Sequence, residues 1–105
     1  MDDNKYSLAF EIISEAGDAK SKASEAIALI QNKELEAGEE KIKEAKKSLV
    51  NAHHVQTKLI QQECTGESVD INIIMVHAQD HFSMATTMID MAEIILKLYR
   101  QLEEK

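Results

Sequence analysis

Two histidines and an aspartate lie close together near position 80, in a segment that is otherwise largely apolar. His77 precedes Asp80 by three residues and His81 by four. In a helix, these spacings bring all three side chains onto one patch of surface. A neutral imidazole can act as a metal ligand or a nucleophile, and a carboxylate beside it can bind a cation. This patch is therefore the candidate for chemistry in the chain.

Three interpretations of the patch compete. The histidines could be structural residues at the edge of the core, satisfied by hydrogen bonds. The pattern His-x-x-Asp-His could instead offer three metal ligands at helical spacing, although the glutamate base of a zinc hydrolase motif is absent. Finally, a neutral imidazole nitrogen can attack phosphorus, and the phosphohistidine so formed can donate its phosphoryl group onward. Residue types alone leave all three open.

The composition predicts the architecture that must position this patch. The chain has 105 residues, with no proline, three glycines and 4% aromatic residues. Sandwiches and barrels need many turns, and turns favour glycine and proline. We therefore expect a single all-α domain over residues 1–105, made of a few long helices joined by short loops.

Capping and turn residues divide the chain into three predicted helices. Helix 1 is expected to begin after Asp3 or Asn4 and to end at the turn 31–33. Helix 2 is expected to open at Glu34, where acidic residues suit the helix dipole. Gly66 is the expected cap at the end of helix 2, and Ser68 or Asp70 is expected to cap helix 3.

Helices 1 and 2 each carry one apolar stripe at heptad-like spacing. The stripe of helix 1 is rich in small side chains, so that a neighbouring helix can approach closely. Its members are Ala9, Ile12, Ala16, Ala19, Ala23, Ala26 and Ile30. The stripe of helix 2 consists of Leu35, Gly38, Ile42, Ala45, Leu49, Ala52, Gln56 and Leu59.

Helix 3 differs because it has two apolar stripes, about 100° apart. One comprises Ile71, Met75, Ala78, Phe82, Ala85, Ile89, Ala92, Leu96 and Tyr99. The other comprises Ile74, His77, His81, Met84, Met88, Met91, Ile95, Leu98 and Leu102. One face is predicted to pack on helices 1 and 2, and the other on another subunit. The alternative is a helix that is unusually buried in a monomer.

Charge and cysteine usage exclude several classes of partner. The formal net charge of -7 disfavours nucleic acid and anionic membrane surfaces.

No apolar run approaches the roughly 20 residues that span a bilayer, so direct membrane insertion is not expected. The first residues lack the pattern of a signal peptide, and the single cysteine, Cys64, has no internal disulfide partner. We expect a cytoplasmic protein.

Two longer strings carry a resemblance to a known family. The run Met75-Val76-His77-Ala78-Gln79-Asp80-His81 resembles the active-site signature of the enzyme IIA component of the lactose/cellobiose branch of the bacterial sugar phosphotransferase system. The upstream run at 52–61, Ala-His-His-Val-Gln-Thr-Lys-Leu-Ile-Gln, is similar to the second helix of this family. The resemblance covers essentially the whole chain, and it implies an up-down-up antiparallel bundle that forms a homotrimer through helix 3.

The resemblance also implies roles for individual residues and partners. His77 would be phosphorylated on Nε2, its tele nitrogen, by phospho-HPr, and would pass the group to a cysteine of enzyme IIB. Asp80 from three chains would share one divalent ion, usually Mg²⁺. The membrane enzyme IIC would be an indirect partner, and the sugar a β-linked disaccharide such as lactose, cellobiose or diacetylchitobiose.

The remaining conspicuous residues have weaker interpretations. His81 could orient His77, bond the phosphoryl oxygens or only fill its stripe, and a supporting role is favoured. His53 and His54 point in different directions and are interpreted as structural or surface residues. Cys64 has acidic neighbours and is interpreted as incidental. Two alternative functions stay open: a non-enzymatic trimeric helical adaptor, and a metal-binding helical protein.

Overall fold

The computed structural model describes residues 4–67, 69 and 71–104, and it contains three long helices. Helix α1 spans Asn4–Gln31, α2 spans Leu35–Cys64 and α3 spans Ile73–Glu103. The start of α1 packs with the end of α2 and the start of α3, as an up-down-up antiparallel bundle requires. The predicted all-α fold and helix order are therefore confirmed.

Helices α1 and α2 end with the same C-terminal motif. Lys33 and Gly66 adopt left-handed φ angles of 66° and 88° just beyond α1 and α2. After each of them, a backbone N–H reaches back to the last turn of the helix, from Glu34 to Leu29 O and from Glu67 to Gln62 O. These bonds satisfy carbonyls that the helix end would leave without a partner. The prediction that Gly66 ends helix 2 is confirmed.

The start of α3 differs from the prediction. The capping residue is Asn72, whose side chain accepts a hydrogen bond from the backbone N–H of Met75 at 2.9 Å. Ser68 and Asp70 lie outside the described residues. Ile71 precedes the helix and is exposed, so it does not belong to the apolar stripe of α3. Several residues of this loop can cap a helix, and the sequence did not distinguish between them.

The core consists of two clusters along the bundle axis. Every residue of the predicted α1 stripe is buried, and five of these seven are alanines. Small side chains let α2 and α3 approach α1 closely, which suits a thin bundle of 58 × 24 × 18 Å. In α2, Ser48 and Val55 are buried, whereas Leu49 and Gln56 of the predicted stripe are half-buried; Ser48 bonds to Asp18 of α1.

One face of α3 has no partner within the described part of the chain. It carries exposed residues at alternating steps of four and three, which we call the exposed stripe. Its members are Ile73, His77, Asp80, Met84, Thr87, Met91, Ile94 and Leu98. The second stripe predicted from the sequence is divided, because Ile74, His81, Met88 and Ile95 are half-buried.

None of the described helices is long and apolar enough to cross a membrane.

Candidate functional site

The two histidines of α3 contact each other directly. Nε2 of His77 lies 3.0 Å from Nε2 of His81, and the ring planes stand at 87° to each other with centroids 4.4 Å apart. The His77 side chain is exposed and that of His81 is half-buried. The contact follows from the i,i+4 spacing, which places the second ring one helical turn above the first.

The surroundings of His81 indicate which nitrogen donates in this contact. Nδ1 of His81 is buried and has no hydrogen-bond partner among the described residues. If His77 donated, a neutral His81 would carry its proton on Nδ1, as a buried N–H without an acceptor, and such groups are rare. The geometry therefore favours His81 as the donor through Nε2–H. Nε2 of His77 then holds the lone pair, and the His77 proton sits on Nδ1.

Asp80 belongs to the exposed stripe itself, between His77 and Met84. Its carboxylate is exposed and makes no hydrogen bond or ion pair within the described part of the chain. Within 4–67, 69 and 71–104, no group of three His, Cys, Asp or Glu side chains could hold a metal ion. A carboxylate supplies oxygen ligands of the kind that divalent cations such as Mg²⁺ prefer.

The histidines of α2 are separate from this contact. His53 stacks on Phe82 of α3, with ring centroids 6.2 Å apart, and His54 is exposed. Gln56 of α2 bonds across to α3, where its amide donates to Gln79 Oε1 at 2.6 Å. Thr57 instead donates to the carbonyl of His53 in its own helix. The sequence did not single out the Gln56–Gln79 bond, because many rotations of α2 against α3 would have separated the two amides.

Charged side chains concentrate at the other end of the bundle. A groove of about 630 Å³ between α2 and α3 is floored by Ile42 and Leu96, and the pairs Lys46–Glu93 and Arg100–Glu39 cross it. The Arg100 guanidinium holds the pKa of Glu39 below its ordinary value, chiefly by hydrogen bonding. Cys64 is the last residue of α2, at the opposite end of the bundle; it is exposed and forms no part of the histidine contact.

Comparison with known proteins decides the family. Residues 7–100 match the model of the lactose/cellobiose-specific IIA subunit of the phosphotransferase system. The chain belongs to this IIA family. Membership confirms the resemblance carried by the string around His77 and makes the protein a component of the sugar phosphotransferase system.

Three relatives illustrate how far the similarity extends. The lichenan-specific enzyme IIA component of Bacillus subtilis is 40% identical over 105 residues, which cover 100% of this chain and 96% of the relative. The lactose-specific component of Staphylococcus epidermidis is 37% identical, over 90% of both chains. The crystal structure of the cellobiose-specific enzyme IIA from Bacillus anthracis superposes with a TM-score of 0.95 at 35% identity, covering 100% of this chain and 96% of that one. Three different sugars therefore occur among the names of proteins that resemble this IIA chain.

Proposed function

We propose that this IIA protein is a phosphocarrier in which His77 accepts a phosphoryl group on Nε2 from phospho-HPr and passes it to a cysteine of enzyme IIB. The observation that carries the proposal is the His77–His81 contact, in which the buried, unpartnered Nδ1 of His81 favours the tautomer with the lone pair on Nε2 of His77. A nitrogen lone pair at an exposed position is what attack on phosphorus requires.

The two transfers balance as simple displacements. The Nε2 lone pair forms the bond to phosphorus, while the bond between phosphorus and the donor breaks and its electron pair returns to the donor. His77 keeps its Nδ1 proton throughout. In the second step the IIB thiolate attacks, the sulfur–phosphorus bond forms, and the electrons of the nitrogen–phosphorus bond return to Nε2.

His81 is proposed to support both transfers. Its Nε2–H points at the nitrogen that attacks, so once phosphorus occupies that position the same N–H can turn to a phosphoryl oxygen. The phosphoryl group brings nearly two negative charges, and one donor from a neutral ring offsets only part of them. Modest stabilisation suits a carrier, since a group held too firmly could not be passed on.

The exposed stripe from Asp80 to Leu98 is proposed to be the contact between three copies of the chain, with His77 in a partly solvated cleft at the subunit boundary. Its heptad spacing and apolar members are typical of a helix that packs in a coiled coil. Packing the stripes of three chains about an axis would bring three Asp80 carboxylates together. Mutual repulsion would oppose this assembly unless a cation neutralised them, and Mg²⁺ prefers oxygen ligands of this kind. Asp80 is therefore proposed to hold one shared Mg²⁺ per trimer.

The sugar and the compartment are proposed from the family and the names of its members. The relatives are named for lichenan, lactose and cellobiose, so a β-linked disaccharide is the proposed cargo, phosphorylated as it enters through enzyme IIC. The IIA protein itself would act in the cytoplasm, where HPr and enzyme IIB would meet it.

The test is phosphoryl transfer in a reconstituted system. Incubating the protein with phosphoenolpyruvate, enzyme I and HPr should add one acid-labile phosphoryl group, seen by mass. His77→Ala should abolish the label and leave the helical circular dichroism unchanged, whereas His53→Ala and His54→Ala should keep the label. A non-enzymatic adaptor or a metal-binding protein would take no label in any form, and label retained in His77→Ala would refute the assignment.

A further inference from the structure

Two imidazole nitrogens of α3 lie close enough together to bind one metal ion. Nε2 of His77 and Nε2 of His81 are 3.0 Å apart. Imidazole nitrogens bind divalent transition metals at about 2.0–2.1 Å. An ion at that distance from both nitrogens would hold them at an angle of about 94° to each other. The two rings can therefore occupy neighbouring positions around a single ion.

The arrangement of the two rings is compatible with such an ion. Their centroids are 4.4 Å apart, less than the roughly 5 Å of rings whose nitrogens point straight at each other. The rings are therefore inclined to the line that joins the nitrogens, as binding of one shared ion requires. His77 is exposed, so an ion can approach from solvent, and water can fill its remaining positions.

The geometry and the ligand type select a class of metal. An angle of about 94° is near that of square-planar or tetragonal coordination and smaller than the roughly 109° of the tetrahedral sites that Zn²⁺ prefers. Tetragonal sites with nitrogen ligands are typical of Ni²⁺ and Cu²⁺, which also bind such ligands more tightly than Mn²⁺ or Fe²⁺ does. Mg²⁺ prefers oxygen ligands and is not expected at this pair.

We infer that the His77–His81 pair is a binding site for Ni²⁺ or Cu²⁺, and that an ion bound there blocks phosphoryl transfer. The second part rests on the proposed phosphocarrier function. Nε2 of His77 gives its lone pair to the ion, so no lone pair is left to attack phosphorus. A phosphoryl group on Nε2 removes the same ligand from the ion. Metal binding and phosphorylation therefore exclude each other.

The surroundings of His81 make this binding weaker than that of an unconstrained pair. Both Nε2 atoms have to be free of protons to bind the ion, so the proton of a neutral His81 has to move to Nδ1. Nδ1 is buried and has no hydrogen-bond partner among the described residues, and a buried N–H without an acceptor is unfavourable. The ion is therefore expected to bind reversibly and to leave the carrier free where the metal is scarce.

Calorimetric titration with Ni²⁺ tests the site itself. The untagged protein is titrated in a buffer that contains Mg²⁺, so that carboxylate sites are already occupied. His77→Ala and His81→Ala should each weaken Ni²⁺ binding by at least about tenfold, because each removes one of two protein ligands. The matched control replaces both His53 and His54, which are adjacent in α2 and lack the i,i+4 spacing, and it should bind as the wild type does. Binding at full affinity in His81→Ala would overturn the site.

Labelling from purified phospho-HPr tests the block. Ni²⁺ at a concentration that saturates the site should reduce the labelling rate of the wild type at least about tenfold. His81→Ala, which keeps His77, should be labelled at a rate that the same Ni²⁺ concentration leaves unchanged. If Ni²⁺ slows both proteins alike, the ion acts on HPr or elsewhere and the block is refuted. If the wild type takes no label even without Ni²⁺, the proposed function fails and the block with it, whereas calorimetry still decides the site.

Discussion

The side chains of His77 and His81 meet through their Nε2 atoms at 3.0 Å, with His81 as the donor that the buried surroundings of its Nδ1 favour. The nitrogen proposed to attack phosphorus is therefore held by a single neutral N–H. That N–H has to leave the lone pair of His77 before the nitrogen–phosphorus bond can form. The hydrogen bond from His81 thus positions the reacting ring, and it also occupies the lone pair that has to attack phosphorus.

Replacing His81 should slow transfer without abolishing it. In His81→Ala the ring of His77 loses its partner, and the phosphoryl group loses one donor. A hydrogen bond of this kind contributes about 1.4 kcal/mol, or tenfold in rate. We expect His77 to be labelled still, at about one tenth of the wild-type rate, in rapid-quench measurements with HPr. An unchanged rate would show that His81 only fills its place on α3.

Removing the proposed metal should loosen the proposed trimer. Three Asp80 carboxylates on the axis would repel one another once a chelator takes the cation. Sedimentation with and without chelator should therefore show dissociation at neutral pH. A wild-type protein that is monomeric with Mg²⁺ would contradict the placement of Asp80 on an axis.

Substitutions of Asp80 should show how the assembly of the trimer depends on the charge at this position. Asp80→Leu should stay trimeric in chelator, because packed apolar groups often replace buried charges without loss of stability. His77 should remain phosphorylatable in that variant. Asp80→Lys should place three like charges on the axis and split the assembly. A full-strength Asp80→Lys trimer would show that Asp80 lies elsewhere.

Two helical glycines should respond oppositely to alanine. A Cβ at Gly38 would lie 2.6 Å from Ile30 Cγ1 and 3.2 Å from the Ala26 carbonyl oxygen, whereas a Cβ at Gly17 would meet nothing within 4 Å. Gly38→Ala should destabilise the protein by about 1–2 kcal/mol, since overpacking exceeds the gain in helix propensity. Gly17→Ala should stabilise it by about 0.5–1 kcal/mol. Urea unfolding of the two variants tests the direction of both changes in the free energy of unfolding.

The Ser48–Asp18 bond should give stability that is lost in acid. The Ser48 hydroxyl donates to Asp18 and, with Lys22, holds the pKa of that carboxyl below its ordinary value of 3.8. Because the pKa of Asp18 is lower in the folded protein than in the unfolded chain, the bond stabilises the protein at pH values above the unfolded-state pKa. This contribution disappears as the pH falls through the folded-state pKa. Because Asp18 is half-exposed, Ser48→Ala should cost only about 1 kcal/mol at pH 7.

The pH dependence of the Ser48→Ala effect provides the check. Urea unfolding at neutral pH should separate Ser48→Ala from the wild type, and the difference should shrink as the pH is lowered below 3.8. Ser24→Ala, at an exposed position of α1, should lower stability at neither pH. A Ser48→Ala deficit that stays constant in acid would mean that packing around Ser48, and not the charge of Asp18, is responsible.

The amino-acid sequence by itself determined the three helices, the buried stripe of α1 and the residues of the candidate site. These depend on local properties: periodic apolar residues, a glycine that tolerates positive φ, and the i,i+4 spacing that makes His77 and His81 neighbours on any helix. The family signature added the expected role of each residue. Because the signature is a continuous string of residues, it can be recognised from the sequence alone.

Only the tertiary structure decided how α3 is rotated in the bundle. That rotation divides the second predicted stripe, turns His81 partly inward toward the bundle and places Asp80 on the exposed face beside His77. It also sets Gln79 against Gln56 and buries Ser48 beside Asp18. Such relationships join residues far apart in the chain, and they depend on how three helices share one core, which no local pattern specifies.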